Sequence, residues 1–359
     1  MVQRETFTFE AIKRRRVESL MSEPFFKEAF HRWGLHHSTR VCAFRFERNA
    51  ASAGSVTGTV ASGPLRFSGF HRGLLGEFLM SLFEAPALRE ELKLRETDRD
   101  KSSCPGTVDY CELQCRWTTL DPFKRLVDAG IVRRVEEVEK DRTDCGTALQ
   151  NEYEAPLFDG ARMPIVRRAD VYLPHDIAVC DELRALFLLA HNKSAGHIVD
   201  GGDDEDFYMY GGSCGLGCGA SLAALRRVFE KEEERAEFIY HIVWRLVAGG
   251  GTANQWDDEL TMYLEAARMF YKSLVSIRAV PGAAESSGGG VEEVDHNADD
   301  GCAPESLRPE VVSTVVSVQA VAGLRLFEND DDASPSNLNY CYVCIDPLQA
   351  EVVVWYHSF

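Results

Sequence analysis

Apolar residues recur at helical spacing through the middle of the chain, whereas shorter runs near both ends alternate between apolar and polar positions. The strongest helical patterns cover 238–247 and 260–277, where apolar side chains fall every three or four residues and so share one helix face. Three consecutive glycines at 249–251 end the first of these helices because glycine has a low helix propensity. Thr252 and Gln255 have the capping-box spacing that starts a second helix. The short connection predicts an antiparallel helical hairpin that buries both apolar faces.

Helix signals also occur in four other places, at 17–33, 70–83, 121–130 and 181–190. Pro24 interrupts the first pattern, which predicts a kink or two short helices. Pro86 marks the end of the second. Asp121 followed by Pro122 is a strong start signal for the third, because Asp caps free amides and Pro lacks an amide that would go unpaired. Gly130 supplies its stop.

Alternating runs predict β-strands at both ends of the chain, at 7–9, 40–46, 166–172, 311–327, 339–345 and 351–357. Asp346 followed by Pro347 suits the first two positions of a tight turn. The last two strands are therefore predicted to pair as an antiparallel hairpin.

Together these elements predict an α+β fold with a central helical hairpin packed on a mainly antiparallel sheet. At about 150 residues per domain, a chain of this length allows one large domain or two ordinary ones, and we interpret residues 1–359 as a single compact domain. Its core is expected in six segments, 6–46, 68–140, 153–190, 220–280, 310–327 and 339–357. Mobile insertions are expected between them, at 47–67, 141–152, 191–219, 281–309 and 328–338.

The acidic charge is concentrated in a few windows of the sequence. The formal net charge is -18, from 39 Lys and Arg against 57 Asp and Glu. The windows 196–220, 285–310 and 328–337 carry net charges of -5, -7 and -4, which leaves about -2 for the remaining residues. Such polar, Gly-rich segments bury too little apolar surface to offset the entropy of ordering, so they are predicted to be disordered acidic insertions. The acidic total also argues against nucleic-acid binding.

Targeting signals and cysteine usage predict a cytoplasmic protein that does not enter membranes. The first sixteen residues lack the apolar core of a secretory signal. The longest uncharged apolar-rich run, 311–324, is shorter than the roughly 18 residues that a membrane span needs. The eleven cysteines are interpreted as reduced thiols, since an odd number spread along a long chain does not suggest a disulfide framework.

Three pairs of cysteines have short spacings, namely Cys111 with Cys115, Cys214 with Cys218, and Cys341 with Cys344. A zinc site needs four converging ligands. The last pair lies three positions apart on a predicted strand, so its side chains point to opposite faces of the sheet. The first two pairs would supply four thiolates, but the second lies in a Gly-rich acidic loop. We interpret Cys341 and Cys344 as buried small apolar residues and the other two pairs as incidental thiols, with a zinc site as the alternative. We therefore predict no metal and no cofactor.

Motifs for other chemistries are incomplete. Residues 211–219 read GGSCGLGCG ahead of a predicted helix, but Leu222 occupies the third-glycine position of a dinucleotide fingerprint, and no P-loop sequence occurs. No serine-hydrolase, zinc-protease or kinase pattern is present. The basic run 13–16, KRRR, is interpreted as a solvated helix face, with a nuclear-import signal or polyanion-binding patch as the alternative.

Several short, distinctive blocks occur in collinear order over nearly the whole chain. The most specific are YKSLVSIR at 271–278, the IDP sequence at 345–347 and the terminal WYH at 355–357. The others are Trp33 with 41–46, FKRL at 123–126, GIVR at 130–133, DELR at 181–184, 246–250 and YLE at 263–265. Together these blocks resemble the cilia- and flagella-associated protein 300 family. The departures from the family pattern fall in the acidic or Gly-rich windows at about 196–220 and 285–310, with smaller ones around 47–67 and 141–152.

This resemblance implies a non-enzymatic factor of motile cilia and flagella, needed for the assembly of outer and inner axonemal dynein arms. It implies a location in the cytoplasm and along the flagellar axoneme. The implied partners are other dynein arm assembly factors of the kintoun type and the intraflagellar transport machinery. The family supplies no catalytic residues to carry over.

Such a role requires a partner-binding surface, for which large aromatic side chains are the usual anchors. The candidate residues are Trp256, Tyr263, Tyr271, Lys272, Arg278, Asp346, Trp355, Tyr356 and His357. The alternative is that most of these aromatic residues belong to the core. Two other classes of function stay open, which are an α/β enzyme that binds a nucleotide or metal and a permanent structural component of the axoneme.

Overall fold

The computed structural model describes the parts of the chain that form most of the predicted core. The described residues are 6–48, 72–96, 107–132, 171–173, 177–179, 183–184, 186–187, 225–250, 254–281, 307–327 and 338–358. The predicted mobile insertions lie almost entirely outside these ranges, as do Cys214, Cys218 and the Gly-rich stretch 211–219. In the described part, no helix is long and apolar enough to cross a bilayer.

The helices with assigned bounds occur in four groups along the described part of the chain. Their bounds are α1 Arg15–Ser22, α2 Pro24–Arg32, α3 Arg72–Glu84, α4 Pro86–Leu92, α5 Arg125–Asp128 after a 3-10 turn at Asp121–Lys124, α6 Glu232–Arg235, α7 Phe238–Ala248 and α8 Leu260–Leu274. Pro24 and Pro86 each stand at the first position of a helix, where the missing amide costs nothing. The interrupted pattern at 17–33 thus forms two helices, as predicted.

Most strands join one large antiparallel sheet. Their bounds are β1 Phe7–Ile12, β2 Thr39–Arg48, β3 Arg95–Glu96, β4 Val108–Leu113, β5 Val171–Leu173, β6 Ile177–Val179, β7 Ile277–Pro281, β8 Leu307–Val311, β9 Thr314–Val321, β10 Leu324–Arg325, β11 Tyr340–Asp346 and β12 Glu351–His357. The strand order in this sheet is β1-β2-β12-β11-β9-β10-β3, and β4 also pairs with β9. Two separate two-stranded antiparallel sheets are formed by β5 with β6 and by β7 with β8.

Helices cover both faces of the large sheet, and the alternation of strand residues decides which face each side chain joins. On β11, Tyr342 and Cys344 join a core with α1, α2, α7 and α8, whereas Cys341 and Val343 join a second core with α3 and α4. We call these the hairpin face and the α3/α4 face. The predicted α+β fold, with the helical hairpin on a mainly antiparallel sheet, is confirmed. The predicted opposite orientation of Cys341 and Cys344 is also confirmed.

The β11–β12 hairpin and the end of helix α7 both agree with the sequence. β11 and β12 pair in antiparallel register from Tyr340 opposite His357 to Asp346 opposite Glu351, as predicted. Helix α7 also ends at the predicted glycines, with Gly249 at a φ of 72°, in the left-handed region that favours glycine. A side chain at Gly250 would clash with the backbone carbonyl oxygen of Gly34, so this position also requires glycine.

The predicted start of the second helix at a capping box of Thr252 and Gln255 is wrong, and Thr252 itself lies outside the described residues. Helix α8 begins only at Leu260, with Glu259 at its N-cap, and Gln255 is not helical. The segment before α8 is instead bound to the end of α2, where the Gln255 amide donates to the Arg32 carbonyl oxygen at 2.6 Å. Tertiary hydrogen bonds outweigh the local capping signal here.

The single strand predicted at 311–327 is also corrected. The structure divides this stretch between the end of β8, the long strand β9 and the short strand β10. A turn at Ala322 and Gly323 separates β9 from β10, and Gly323 has a φ of 81°. Its left-handed backbone lets the chain reverse, so that Leu324 pairs with Val321.

Candidate partner-binding site

The structure separates the nine candidate residues into interior and surface groups. The interior group is Tyr263, Tyr271, Asp346, Trp355, Tyr356 and His357, each 4% exposed or less. Trp256 is partly exposed, and Lys272 and Arg278 are exposed. Interior side chains contact a partner only after a rearrangement of the core, so the surface group is the better starting point for a binding site.

The interior aromatic residues hold the helical hairpin on the sheet. Trp355 of β12 meets Phe270 of α8 edge to face, with ring centroids 4.5 Å apart. Tyr263 of α8 stacks on Trp33 at the end of α2, with centroids 4.6 Å apart. Such pairs add about 0.5–1.5 kcal/mol to the stabilisation that burial provides. Their positions explain why these residues are aromatic without any partner.

Tyr356 lies on the other face of β12. Its hydroxyl donates to the Leu326 carbonyl oxygen at 2.7 Å, and its ring stacks on Phe327. Asp346 shapes the β11–β12 turn, since its Oδ1 accepts hydrogen bonds from the amides of Leu348 and Gln349 at 2.9 and 3.1 Å. These two candidates therefore have structural roles in the terminal hairpin.

His357 is fully buried at the end of β12. Its Nδ1 lies 3.0 Å from the Leu338 carbonyl oxygen, which only accepts, so Nδ1 carries the proton. Its Nε2 then accepts from the Ser38 hydroxyl at 2.8 Å. Burial lowers the pKa of His357 to about 4, and the positive charge of Arg245 contributes in the same direction. The imidazole is thus neutral near pH 7.

A polar network lies beneath the hairpin. Tyr342 of β11 accepts a hydrogen bond from Arg245 Nε at 2.9 Å, and His241 Nδ1 lies 3.0 Å from the same hydroxyl. The Arg245 guanidinium also lies over the rings of Trp244 and Tyr340, 3.7 and 4.9 Å from their centroids. Burial, and then the charge of Arg245, lowers the pKa of His241 to about 3. These contacts account for the buried cation as part of the core.

Trp256 also contacts a cation. Its ring lies beside the guanidinium of Arg184, at 4.2 Å from the centroid, and Arg184 is fully buried. Trp256 therefore covers a buried cation with one part of its ring and presents only a fraction of its surface outward.

Lys272 lies at a surface groove. It lines a groove of about 700 Å³ between α1 and the end of α8. The groove is lined by Arg15, Arg16, Ser19, Leu20, Glu23, Met269, Lys272, Ser273, Val275 and Ile277, and we call it the basic groove. Its cations stand at the rim, while apolar side chains from both helices and from the start of β7 form its floor. Two smaller depressions, of about 280 and 390 Å³, also reach Ile277.

The groove is positioned by Arg14, the buried member of the basic run. Arg14 Nη1 donates to the Leu274 carbonyl oxygen at 3.2 Å, and Nη2 donates to the Ser276 hydroxyl at 3.1 Å. A cation at the C-terminus of α8 complements the helix dipole. Arg14 Nε also lies 3.6 Å from a carboxylate oxygen of Glu351. This anchor fixes the start of α1 against the end of α8, and Arg15 and Arg16 follow it into the solvent.

The other surface candidate, Arg278, is already paired. Its guanidinium donates two hydrogen bonds to Glu310 on the neighbouring strand β8, at 2.9 and 2.7 Å. Because both side chains are about half exposed, this pair adds little to stability. Arg278 is therefore held by an ion pair within the chain, whereas Lys272 lines the basic groove.

The apolar floor was missed by the sequence prediction. Leu20, Met269 and Ile277 follow helical or strand spacing like any core residue, and only Ile277, at 44% exposed, stands out in the structure. The available signal was the basic run 13–16, which the sequence analysis assigned to a solvated helix face.

Metal binding has no support among the described residues, where no group of three or more His, Cys, Asp or Glu side chains is arranged to hold an ion. Burial raises the pKa of Cys115 to about 12, so this thiol is protonated near neutral pH. Cys111 is exposed on β4.

Comparisons with known proteins agree with the resemblance in the sequence. A profile of the family described as cilia- and flagella-associated protein 300 matches residues 226–287, which contain α7, α8 and β7. The resemblance to this family is confirmed. A Chlamydomonas reinhardtii protein named cilia- and flagella-associated protein 300 is 27% identical over 132 residues, which is 36% of this chain and 40% of that relative. No solved structure shows a significant match.

The family match covers one wall of the basic groove. Met269, Lys272, Ser273, Val275 and Ile277 all lie within residues 226–287. The opposite wall comes from α1, outside the matched range. The matched segment therefore contributes both buried hairpin contacts and exposed lining residues.

Proposed function

We propose that the protein is a cilium- and flagellum-associated factor that works by binding other proteins and does not catalyse a reaction. Its finer role is in the assembly of outer and inner axonemal dynein arms, and it is needed for flagellar motility. The proposed partners are dynein arm assembly factors of the kintoun type and the intraflagellar transport machinery. The proposed locations are the cytoplasm and the flagellar axoneme.

The observation that carries this proposal is the family match over the helical hairpin. It is supported by the chemistry of that region, in which the ionisable groups Arg245 and His241 are committed to internal hydrogen bonds or ring contacts. The exposed part of the same region is a groove with an apolar floor, a form typical of peptide recognition.

Deleting the gene in a flagellated cell and imaging axoneme cross-sections tests the assembly role. We expect loss of both outer and inner dynein arms, with microtubule doublets otherwise intact and motility lost. Re-expression of the intact chain should restore the arms. Normal arms in the deletion strain would contradict the proposal.

Salt extraction of isolated flagella separates an assembly factor from a permanent component of the axoneme. A factor that only travels with transport complexes should leave with the soluble and salt-extracted fractions. Retention of most of the protein on extracted axonemes would instead indicate a structural component.

A further inference from the structure

The cations at the rim of the basic groove are available to a ligand. Within the described part of the chain, Arg15, Arg16 and Lys272 form no ion pair, and all three are exposed. Neighbouring cations differ, since Arg14 pairs with Glu351 and Arg268 pairs with Glu265. Glu23 is the single acidic side chain among the lining residues of this groove.

The groove also offers apolar surface between these cations. Leu20, Met269, Val275 and Ile277 contribute to its lining, and Ile277 is 44% exposed. Removing such a side chain from water on binding is favourable by about 25 cal/mol per Å² of apolar area. A ligand that fits therefore combines negative charge with an apolar side.

We propose that the basic groove binds an acidic amphipathic segment of a partner protein. Its apolar side chains would cover Ile277 and Met269, while its Asp or Glu residues would pair with Arg15, Arg16 and Lys272. This proposal names the chemistry of the partner in the proposed function. It rests on that function in one respect, that the protein acts by binding other proteins.

Charge complementarity is the main argument for this occupant. Outside the three acidic windows the chain carries a net charge of about -2, so Arg15, Arg16 and Lys272 form a local positive cluster on a nearly neutral body. Asp or Glu side chains of a partner complement this cluster, and such complementarity fixes where the partner binds.

Other occupants fit less well. Single-stranded nucleic acid is usually held by aromatic side chains on which bases stack, and none lines this groove. In a two-fold dimer of this chain built on the groove, the rim cations of both copies would face each other and repel. A protein segment with alternating charge and apolar character avoids both problems.

Binding to a synthetic peptide tests the proposal with the purified full-length chain. The probe is a fluorescein-labelled helical peptide with Leu along one face and Glu at the other positions, measured by fluorescence anisotropy. One control peptide carries Lys in place of every Glu, and a second carries Ser in place of every Leu. We expect binding of the first peptide, none of the Lys peptide, and weakening by about tenfold or more for the Ser peptide, since apolar burial is lost.

Variants connect this binding to the groove. The double variant Arg15→Glu/Lys272→Glu should lower affinity for the Glu/Leu peptide by about tenfold or more, and Ile277→Ser by about fivefold. Arg226→Glu/Arg227→Glu is the matched control, because these exposed cations lie outside the groove and the change in net charge is the same. Its affinity should stay within about twofold of the wild type, and added salt should weaken binding of the wild type.

Several outcomes would overturn the proposal. These are no binding of the Glu/Leu peptide, equal losses in the groove variant and the matched control, or groove-dependent binding that is tighter for phosphatidylserine vesicles or single-stranded RNA. Tighter binding of a synthetic peptide of residues 285–310 would assign the groove to an acidic segment of this chain. Dimers that dissociate in the groove variant during sedimentation would assign it to a second copy.

Failure here is distinguishable from failure of the proposed function. If deletion abolishes dynein arms but the purified protein ignores the peptide, the assembly role stands and the groove assignment falls. If the peptide binds through the groove while arms are normal in the deletion strain, the groove stands and the assembly role falls.

Discussion

The two faces of the large sheet are built by the same strands but with different chemistry. On the hairpin face, β11 and β12 present Tyr340, Tyr342, Trp355 and His357 to helices that carry a buried Arg245. On the α3/α4 face, the same strands present mostly aliphatic side chains, together with Cys341 and Tyr356, to a cluster of phenylalanines. Within this cluster the Phe46 and Phe78 ring centroids lie 4.9 Å apart.

The two faces require different properties of the side chains that form them. The α3/α4 face needs side chains of suitable volume, because dispersion contacts and burial have little directionality. The hairpin face also has directional contacts, because Arg245 donates to the Tyr342 hydroxyl and His357 to the Leu338 carbonyl oxygen, and losing such a buried partner costs about 1–3 kcal/mol. Orientation of α7 over β11 is therefore specified by hydrogen bonds as well as by packing. The family match at 226–287 includes this helix.

The largest effect should come from removing a large side chain on either face. Trp355→Ala on the hairpin face and Phe78→Ala on the α3/α4 face should each lower the free energy of unfolding by about 3–5 kcal/mol, because each leaves a cavity. Urea denaturation followed by circular dichroism measures both. A loss below about 1 kcal/mol for one of them would show that its face is loosely packed.

Acid should weaken the hairpin face through His357. Its folded pKa of about 4 lies below the ordinary value of 6.5, so the unfolded chain binds the proton more readily. The stability due to the neutral imidazole is complete above about pH 6.5 and declines below it, by about 2 kcal/mol at pH 5.

Comparison with His357→Gln isolates this contribution from the carboxylates, which titrate in both proteins. Between pH 7.5 and pH 5 the wild type should lose about 2 kcal/mol through His357, and the variant should not. The difference between their free energies of unfolding should therefore shrink by about 2 kcal/mol. A gap that stays constant with pH would mean that His357 is not held neutral.

Replacing a buried Tyr by Phe on each face should lower the free energy of unfolding by less than the cavity variants do. Tyr342→Phe removes the acceptor for Arg245 and leaves a buried donor unpaired, so we expect a loss of about 1–3 kcal/mol. Tyr356→Phe removes one hydrogen bond to the Leu326 carbonyl oxygen, and we expect about 1 kcal/mol. Equal losses in urea denaturation would remove the distinction drawn between the faces.

The smallest effect is expected where neither face is touched. Arg15→Glu/Lys272→Glu should change the free energy of unfolding by no more than about 0.5 kcal/mol, since both side chains are exposed and unpaired in the described structure. Thermal unfolding of this variant beside the wild type checks the expectation. A large loss would show that these cations stabilise the fold and would complicate any binding assay that uses them.

Local signals predicted the terminal hairpin well, because the turn at Asp346 and the alternation on both sides of it are properties of adjacent residues. The start of α8 was predicted badly because Gln255 hydrogen-bonds to Arg32, more than 200 positions away along the chain. The candidate site shows the same limit. Trp355 and Tyr263 are of residue types that often anchor protein interfaces. Only their packing against Phe270 and Trp33 identifies them as core residues.

Periodicity, turn chemistry and short motifs are enough to predict the class of fold, the helical hairpin, the opposite orientation of Cys341 and Cys344, and the family resemblance. The burial of Arg14 and the exposure of Arg15 and Arg16 follow from tertiary contacts that the sequence does not reveal. Arg14 is held by the end of α8 and by Glu351, so Arg15 and Arg16 face the solvent beside Lys272. A surface is made by residues distant along the chain, and its charge and shape appear only when folding brings them together.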